Sequence, residues 1–358
     1  MQHPTEQVNK MGEMGFLGMM VSPDYGGGGM DTLSYVLAME EISKVDSSSS
    51  VIMSVNNSLV CWGIEEYGTE EQKQNYLPLL TSGEWIGSFC LSEPEAGSDA
   101  TSQRTTAVDM GDYYLLNGTK NWITNGGKSS LHVVIAQTHP EKGHRGINVL
   151  IVETSWPGVH IGAKEDKLGI RASDTHTIMY SDVKVPKSNR IGEDGFGFKF
   201  AMKVLSGGRI GIAAQALGIA AGAYELAVKY SKEREAFGRP ISQHQAIAFK
   251  LADMATEIEA ARLLVYRAAW MKDQNMDYTS AAAMAKLFAS EVAMRHTVEA
   301  VQIFGGYGYV KEYHVERLMR DAKITQIYEG TSEMQRVVIS RNILSGQLYE
   351  PIWKTETA

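Results

Sequence analysis

The chain of 358 residues has little cysteine and no excess of positive charge. Cys61 and Cys90 are its only cysteines, and a single pair does not make the disulfide framework of a small secreted protein. The formal net charge of −8 argues against nucleic acid as the main ligand, because a nucleic-acid-binding face is usually basic. An anionic small molecule bound by local positive charge stays compatible with this balance.

Long apolar runs and the commonest cofactor motifs are missing as well. No uninterrupted apolar stretch approaches the roughly 18 residues that span a membrane, and the polar residues 1–6 have no signal-peptide core. We therefore expect a cytoplasmic protein without a membrane segment. The fingerprints of a Rossmann site, a Walker loop and a zincin site are absent. The nine histidines are scattered, so no metal site is predicted.

The hydrophobic pattern changes its period twice along the chain. Apolar residues at three-to-four spacing after Asp31 predict a helix. From about Ile86 short strand patterns take over, and Asn117-Gly118 is typical of a tight turn between two strands. The other strand candidates are His132–Gln137, Ile147–Val152 and Thr177–Val185. From Phe198 the helical period returns, and apolar residues at alternating spacings of 4 and 3 from Ile247 to Ala268 predict a packed helix bundle. The middle region is expected to be a small β-barrel or sandwich.

One carboxylate stands on a glycine-marked break between two helical patterns, in Ile327-Tyr328-Glu329-Gly330-Thr331-Ser332-Glu333. The sequence Ser332-x-x-Gln335 is a capping-box signature for the second helix. A Glu between aromatic and apolar neighbours just before a helix start can be a partly desolvated base. On the local pattern alone, a loop Glu that faces water is the more common alternative.

Four further motifs accompany this stretch, in the order Phe89–Asp99, Trp122–Asn125, Arg234-x-x-Phe237-Gly238 and Gln302–Gly306. Together these motifs resemble the acyl-CoA dehydrogenase family, most closely its short-chain (butyryl-CoA) branch, from about Met11 onward. The resemblance implies an α+β multidomain fold with an N-terminal helical domain (1–85), a central small β-barrel (86–196) and a C-terminal four-helix bundle (197–358). The first helix of the family is expected to be absent upstream of Met11.

The resemblance implies FAD as the cofactor, which suits the oxidation of an unactivated Cα–Cβ bond better than nicotinamide does. The flavin pocket would comprise Phe89, Cys90, Leu91, Ser92, Gly97, Ser98, Trp122, Ile123 and Thr124, completed by Thr331, Ser332 and Glu333. The residues that resemble those binding the flavin of a neighbouring subunit are Arg234, Phe237, Gln245, Gln302, Ile303, Gly305 and Gly306. By itself, Trp122 is more often a core aromatic, and Arg234 has the alternative of a solvated helix end.

The resemblance also assigns the substrate residues Ser98, Ser206, Gly207, Gly208, Arg209, Tyr328 and Gly330. Glu329 would take the α-proton while hydride leaves the β-carbon for flavin N5. The backbone N–H of Glu329 and a flavin ribityl hydroxyl would stabilise the developing enolate. Long-chain and isovaleryl relatives carry their base just before the arginine equivalent to Arg209. Gly208 stands there in this chain, so Glu329 is the only base that the motifs offer.

The sequence therefore predicts an enzyme that oxidises short-chain acyl-CoA to trans-2-enoyl-CoA and passes electrons to an electron-transferring flavoprotein. A homotetramer built as a dimer of dimers is expected, because residues of one subunit would complete a neighbour's cofactor site. The alternatives are a dehydrogenase for 2-methyl-branched short acyl-CoA, an acyl-CoA oxidase, and a non-catalytic flavin-binding relative.

Overall fold

The computed structural model describes residues 2–346, which pack as two compact units. One unit consists of residues 2–31 together with Ser48–Gly208. The other consists of Thr32–Ser47 and residues 209–346. The predicted boundaries of three domains stay a prediction. The local structure does change from helix to strand between Ser82 and Gly87, and a long helix begins at Gly197.

The helices of the first unit precede its strands. They are α1 Thr5–Glu13, α3 Ser47–Ser54, a π-helical segment Val55–Cys61, α4 Trp62–Tyr67 and α5 Glu70–Ser82. The helix α5 begins with a capping box, in which the Thr69 hydroxyl and the Gln72 side chain satisfy each other's backbone N–H groups. The π-helical segment is buried along its whole length.

The strands of the first unit form one mixed sheet of seven strands, which confirms the predicted small β-region between helical regions. The strands are β1 Gly87–Cys90, β2 Thr106–Asp109, β3 Tyr113–Thr124, β4 Leu131–Gln137, β5 Ile147–Glu153, β6 Val159–Lys164 and β7 Thr175–Pro186. Their order is β1-β4-β2-β3-β7-β6, with β5 paired to β4. Side chains that alternate along β3 and β7 fill the core of the sheet with Tyr114, Leu116, Ile178, Tyr180 and Val183.

The tight turn predicted at Asn117-Gly118 is wrong, because β3 continues through both residues. The Asn117 amide instead exchanges two hydrogen bonds with Asp182 of β7, at 3.0 and 2.9 Å. Gly118 has φ +145°, and a Cβ atom there would lie 2.6 Å from Cα of Thr105. The glycine therefore permits the close approach of another backbone segment and does not close a hairpin.

The second unit is a bundle of helices, as predicted. It contains α2 Thr32–Val45, most of α6 Gly197–Glu233, α7 Gln245–Asp273, α8 Thr279–Phe304, α9 Val315–Ala322, α10 Ser332–Leu344 and a short hairpin of β8 Glu235–Ala236 with β9 Arg239–Pro240. The Asp273 carboxylate at the end of α7 accepts hydrogen bonds from the N–H groups of Thr32 and Leu33 at 2.8 and 3.1 Å, and so satisfies free donors at the start of α2. The predicted apolar stripe of α7 is buried from Met254 onward.

The helix α6 is long and apolar enough to cross a membrane by length and composition. Of its most apolar window, 83% is buried inside the protein. Glycines let it approach its neighbours, since a Cβ atom on Gly218 would lie 2.3 Å from the carbonyl oxygen of Glu40 on α2. The helix is therefore packed against other parts of the chain.

Candidate active site

The turn around Glu329 has an unusual backbone. Glu329 has φ +51° and Gly330 has φ +92°, so a left-handed glutamate precedes a left-handed glycine. This conformation costs an L-residue about 1–2 kcal/mol, and such residues cluster at functional sites. The capping box predicted from Ser332 is wrong by one residue, because Thr331 is the N-cap and its hydroxyl accepts the N–H of Met334 at 3.3 Å.

Two buried side chains hold this turn through one carbonyl oxygen. Lys286 Nζ of α8 and Gln335 Nε2 of α10 each donate to the carbonyl oxygen of Gly330, both at 2.8 Å. Gln335 Nε2 also lies 3.4 Å from the carbonyl oxygen of Glu329. Both side chains are fully buried. The Gln335 amide is used here, so it does not complete a capping box.

One oxygen of the Glu329 carboxylate is buried, and the charges of Lys286 and Arg209 act on this group. The residue as a whole is partly buried, whereas Oε2 is fully buried and has no hydrogen-bond partner among residues 2–346. Burial raises the pKa of Glu329 to about 7, although the nearby charges of Lys286 and Arg209 act in the opposite direction. The alternative of a loop glutamate facing water does not agree with this burial.

Buried polar atoms without partners recur around the same turn. Within the described part of the chain, Arg209 Nε, Ser332 Oγ and Gln335 Oε1 are also buried and unpaired. Tyr328 has its hydroxyl engaged, since it donates to Gln215 Oε1, and the Gln215 amide in turn donates to the Ser47 carbonyl at 2.8 Å. A buried polar atom without a hydrogen-bond partner destabilises the folded protein. A ligand that forms hydrogen bonds with these atoms would therefore bind favourably here.

The predicted flavin loop of the first unit rests on a buried ion pair. Lys120 of β3 is fully buried and donates to Glu93 Oε1 at 2.7 Å, to Gln103 Oε1 at 2.5 Å and to the Leu91 carbonyl at 3.1 Å. Burial alone would raise the pKa of Glu93, but the Lys120 ammonium, together with hydrogen bonds from Arg104 and Thr105, holds that pKa below its usual value. The hydrogen bond from Lys120 therefore holds the backbone of Leu91 in place.

Trp122 is displayed to solvent by a bulge in β3. Between Lys120 and Ile123 the strand has one more residue than its partner β7, and Trp122 takes φ +61°. Its side chain is 61% exposed. The core-aromatic alternative is therefore wrong, and the exposed indole is free to lie against a planar ligand. Bulges often redirect a side chain beside an active site.

The other predicted flavin residues of this unit differ in what they can offer. Cys90, Leu91 and Ile123 have buried side chains, so only their backbone groups can reach a ligand. Burial raises the pKa of the Cys90 thiol to about 12, and this thiol is not reactive at neutral pH. Gly97 and Ser98 are exposed, while Phe89, Ser92 and Thr124 are partly buried.

In the second unit, a cavity of about 590 Å³ is lined by several of the residues predicted to bind the flavin of a neighbouring subunit. Arg234, Ile303, Gly305 and Gly306 line it together with Tyr230 and Tyr307. The Arg234 guanidinium lies 5.6 Å from the centre of the Tyr307 ring. Gln302 and Gln245 are exposed, and Phe237 is 96% exposed at the tip of the β8–β9 hairpin. These residues do not line the cavity.

This cavity is separate from the turn around Glu329. Lys286, which contacts the turn, precedes Phe304 at the cavity by 18 residues of α8, or about 27 Å at 1.5 Å per residue. Glu329 does not line the cavity. The spacing agrees with the expectation that Arg234 and Gly305 bind a different flavin from the one served by Glu329 of the same subunit.

The remaining predicted substrate residues lie on helices or beside the turn. Ser206, Gly207 and Gly208 are inside α6, and the Ser206 hydroxyl donates to the Met202 carbonyl at 2.9 Å. Arg209 follows them and is buried. Within residues 2–346, no group of three or more His, Cys, Asp or Glu side chains could hold a metal ion.

Sequence reasoning missed Lys286, Gln215 and the Lys120 network, and it assigned Gln335 only a capping role. A signal for Lys286 was present, because this lysine interrupts the alanine-rich helix at a position spaced by four from Ala282 and by three from Ala289, both of which are buried. Lys120 likewise falls on the inward parity of β3, shared with Tyr114 and Leu116. A lone charge on an apolar face indicates a buried polar partner.

Comparison with known proteins agrees with this geometry. Family descriptions of the N-terminal, middle and C-terminal domains of acyl-CoA dehydrogenase match residues 1–84, 88–183 and 195–344. The chain belongs to the acyl-CoA dehydrogenase family. The predicted family and fold class are thereby confirmed.

Several relatives resemble the dehydrogenase over nearly its whole length. The short-chain specific acyl-CoA dehydrogenase of Clostridium acetobutylicum is 54% identical, over 95% of this chain and 90% of its own. The structure of butyryl-CoA dehydrogenase from Megasphaera elsdenii superimposes with a TM-score of 0.94 at 50% identity, over 96% of this chain and 91% of that one. A chain from a study of the electron transferring flavoprotein of Acidaminococcus fermentans has a TM-score of 0.94 at 55% identity, with coverages of 95% and 89%.

Proposed function

We propose that this acyl-CoA dehydrogenase oxidises short-chain acyl-CoA thioesters to trans-2-enoyl-CoA, with Glu329 as the base that removes the α-proton. The observation that supports the proposal most strongly is that Oε2 of Glu329 is buried without a hydrogen-bond partner among residues 2–346, while burial raises the pKa of this carboxyl group to about 7. A base with a pKa near the working pH is largely ionised and still binds a proton well, which is the best compromise for general-base catalysis. The names of the short-chain and butyryl-CoA relatives support the substrate class.

Glu329 and Arg209 have different parts in this chemistry. Glu329 accepts the α-proton, and its desolvation increases its basicity towards a weak carbon acid. The positive charge of Arg209 on α6 favours the ionised form of this carboxylate. The thioester carbonyl also needs hydrogen-bond donors for the developing enolate charge, and the backbone N–H of Glu329 is the proposed protein donor.

The residues present fit FAD, which is the cofactor implied by the family. Trp122 offers an exposed indole face, and the loop fixed by Lys120 offers backbone groups. Ser332 has a buried hydroxyl without a partner among the described residues, and Arg234 lines a cavity large enough for part of a nucleotide. When bound, FAD supplies an acceptor for the hydride that leaves the β-carbon.

The substrate class is tested by anaerobic titration of the FAD-loaded protein with butyryl-CoA, 2-methylbutyryl-CoA and octanoyl-CoA. We expect butyryl-CoA to bleach the flavin absorbance at the lowest concentration and to give crotonyl-CoA. Preferred bleaching by 2-methylbutyryl-CoA would select the branched-chain alternative. No bleaching by any of the three would contradict the dehydrogenase activity and support a non-catalytic relative. Fast reoxidation of the reduced protein by oxygen would favour an oxidase.

We further propose that the protein is a homotetramer, a dimer of dimers, in which Arg234 binds the flavin of a neighbouring subunit. The separation of the Arg234 cavity from Glu329 supports this arrangement, as does the 96% exposure of Phe237 at the tip of the β8–β9 hairpin. The proposed electron acceptor is an electron-transferring flavoprotein, and the likeness to the Acidaminococcus chain supports that choice.

Arg234→Ala is expected to weaken FAD binding by roughly 10- to 10²-fold, because a charge-assisted hydrogen bond contributes about 1.5–3 kcal/mol. The subunits should still fold, since Arg234 is exposed. FAD affinity is measured by fluorescence titration of the apoprotein. Arg239→Ala is the matched control, because Arg239 lies on the β8–β9 hairpin that directly follows Arg234 and does not line the cavity. A monomer that binds FAD at full strength would rule out the shared site.

A further inference from the structure

Lys286 is a buried charge that the proposed reaction does not use directly. It lies on α8 among alanines, it is fully buried, and its Nζ atom donates to the Gly330 carbonyl at 2.8 Å. Burial lowers the pKa of Lys286 to about 8, although the charge of Glu329 acts to raise it. A buried ammonium is costly, and a lysine kept in such a place is expected to have a specific partner.

The lysine is coupled to Glu329 in two ways. Through the Gly330 carbonyl it holds the residue that follows Glu329, in a turn where Glu329 has the unfavourable φ of +51°. Through space, its charge favours the ionised form of the Glu329 carboxylate. Gln335 donates to the same carbonyl oxygen at the same distance of 2.8 Å but has no charge. Gln335 therefore makes the same hydrogen bond to Gly330 as Lys286 does, but it exerts no charge effect on Glu329.

We propose that Lys286 is a positioning residue for Glu329, which holds the catalytic turn through the Gly330 carbonyl and supplies a positive charge that keeps the Glu329 carboxylate ionised. This role rests on the proposed function, in which Glu329 is the base. Lys286 touches neither the α-proton nor the flavin in this role, and it acts only through the turn and through its field.

Few other charged and titratable groups act on the Glu329 carboxylate or on Lys286. Arg209 of α6 is the second cation that acts on Glu329. Burial lowers the pKa of Arg209, whereas Glu329 and Tyr278 act to raise that pKa. Glu291 of α8 and Glu333 of α10 act on Lys286 and favour its charged form. Tyr328 beside Glu329 has its pKa raised well above the usual value by burial, so it stays neutral. Among residues 2–346, replacing Lys286 alone should therefore leave Arg209 as the only cation acting on the carboxylate.

The test compares Lys286→Met with Gln335→Met in the FAD-loaded protein, by rapid mixing with butyryl-CoA from pH 5.5 to 9. Lys286→Met should slow flavin reduction by between about 10- and 10²-fold, the loss that a misplacement of about 1 Å can cause. It should also move the midpoint of the pH dependence upward, because Glu329 loses a charge that lowers its pKa. Gln335→Met should slow the reaction without moving the midpoint.

A second readout does not depend on turnover. The protonated carboxyl band of Glu329 is identified by infrared difference against Glu329→Gln, and its pH titration is followed without substrate. The midpoint should be higher in Lys286→Met than in the wild type, while Lys286→Arg should restore it. If Lys286→Met does not fold, Lys286→Gln keeps a donor to the carbonyl but has no charge, and the same upward shift is expected.

The outcomes separate this inference from the proposed function. A wild-type protein that butyryl-CoA does not reduce would contradict the dehydrogenase activity. A wild-type protein that is reduced, with unchanged rate and midpoint in Lys286→Met, would overturn the positioning role alone. Equal midpoint shifts in Lys286→Met and Gln335→Met would also overturn it, because the shift would then not come from charge.

Discussion

Glu329→Gln is expected to retain FAD and to bind butyryl-CoA, while its flavin is reduced at least about 10²-fold more slowly than that of the wild type, the lower range for a general base. The amide keeps the size of the side chain but cannot accept the α-proton. With Gly208 in the alternative base position, the motifs offer no carboxylate to replace it. The measurement is rapid mixing with butyryl-CoA at the flavin absorbance, with FAD content determined beforehand.

Glu84→Gln is the matched control for this variant, because Glu84 is exposed and lies outside the predicted site. It should be reduced at the wild-type rate. The melting temperature of Glu329→Gln should be at least that of the wild type near pH 8, since burial disfavours the charged carboxylate that the substitution removes. A variant that is slow because it has lost FAD would not support the assignment.

Lys120→Met is expected to lower the free energy of unfolding by about 3–5 kcal/mol, the usual cost of breaking a buried ion pair by removing one partner. The ammonium has three partners beneath the predicted flavin loop, and its loss leaves the Glu93 carboxylate buried without its cation. FAD should also be released more easily, because the Leu91 backbone is no longer fixed. Denaturant unfolding and FAD titration are the two measurements.

Two further variants give this prediction its controls. In Lys120→Met combined with Glu93→Gln, the uncompensated charge is gone, so the double variant should be more stable than Lys120→Met alone. Lys229→Met removes an exposed lysine of α6 and should change the stability by less than about 0.5 kcal/mol. Equal stability of Lys120→Met and Lys229→Met would show that the buried pair is not important for the fold.

The sequence predicts the regular elements of this fold well where a period is sustained. The apolar stripe of α7 and the strands β4 and β5 lie where their patterns place them. One error concerns a residue whose side chain makes a long-range contact. Asn117 is typical of a turn, yet its amide pairs with Asp182 of another strand, a partner 65 residues away that a local pattern does not contain.

The candidate site was predictable as a set of motifs but not as an electrostatic unit. The motifs indicated Glu329, Arg209 and Trp122, and the exposure of Trp122 depends on a bulge that only the pairing with β7 reveals. Lys286 precedes Glu329 by more than 40 residues and reaches the turn because α8 packs against α10. The pKa of Glu329 depends on that packing, so its value could not be derived from the residues around it in the sequence.

Proton removal by the Glu329 carboxylate is proposed to start the reduction of a bound flavin by an acyl-CoA. The most direct test mixes FAD-loaded wild type and Glu329→Gln with butyryl-CoA side by side, without oxygen, and records flavin absorbance and product. We expect rapid bleaching with crotonyl-CoA formation in the wild type, and bleaching at least about 10²-fold slower in the variant. Bleaching at equal rates in the two proteins would show that Glu329 is not the base.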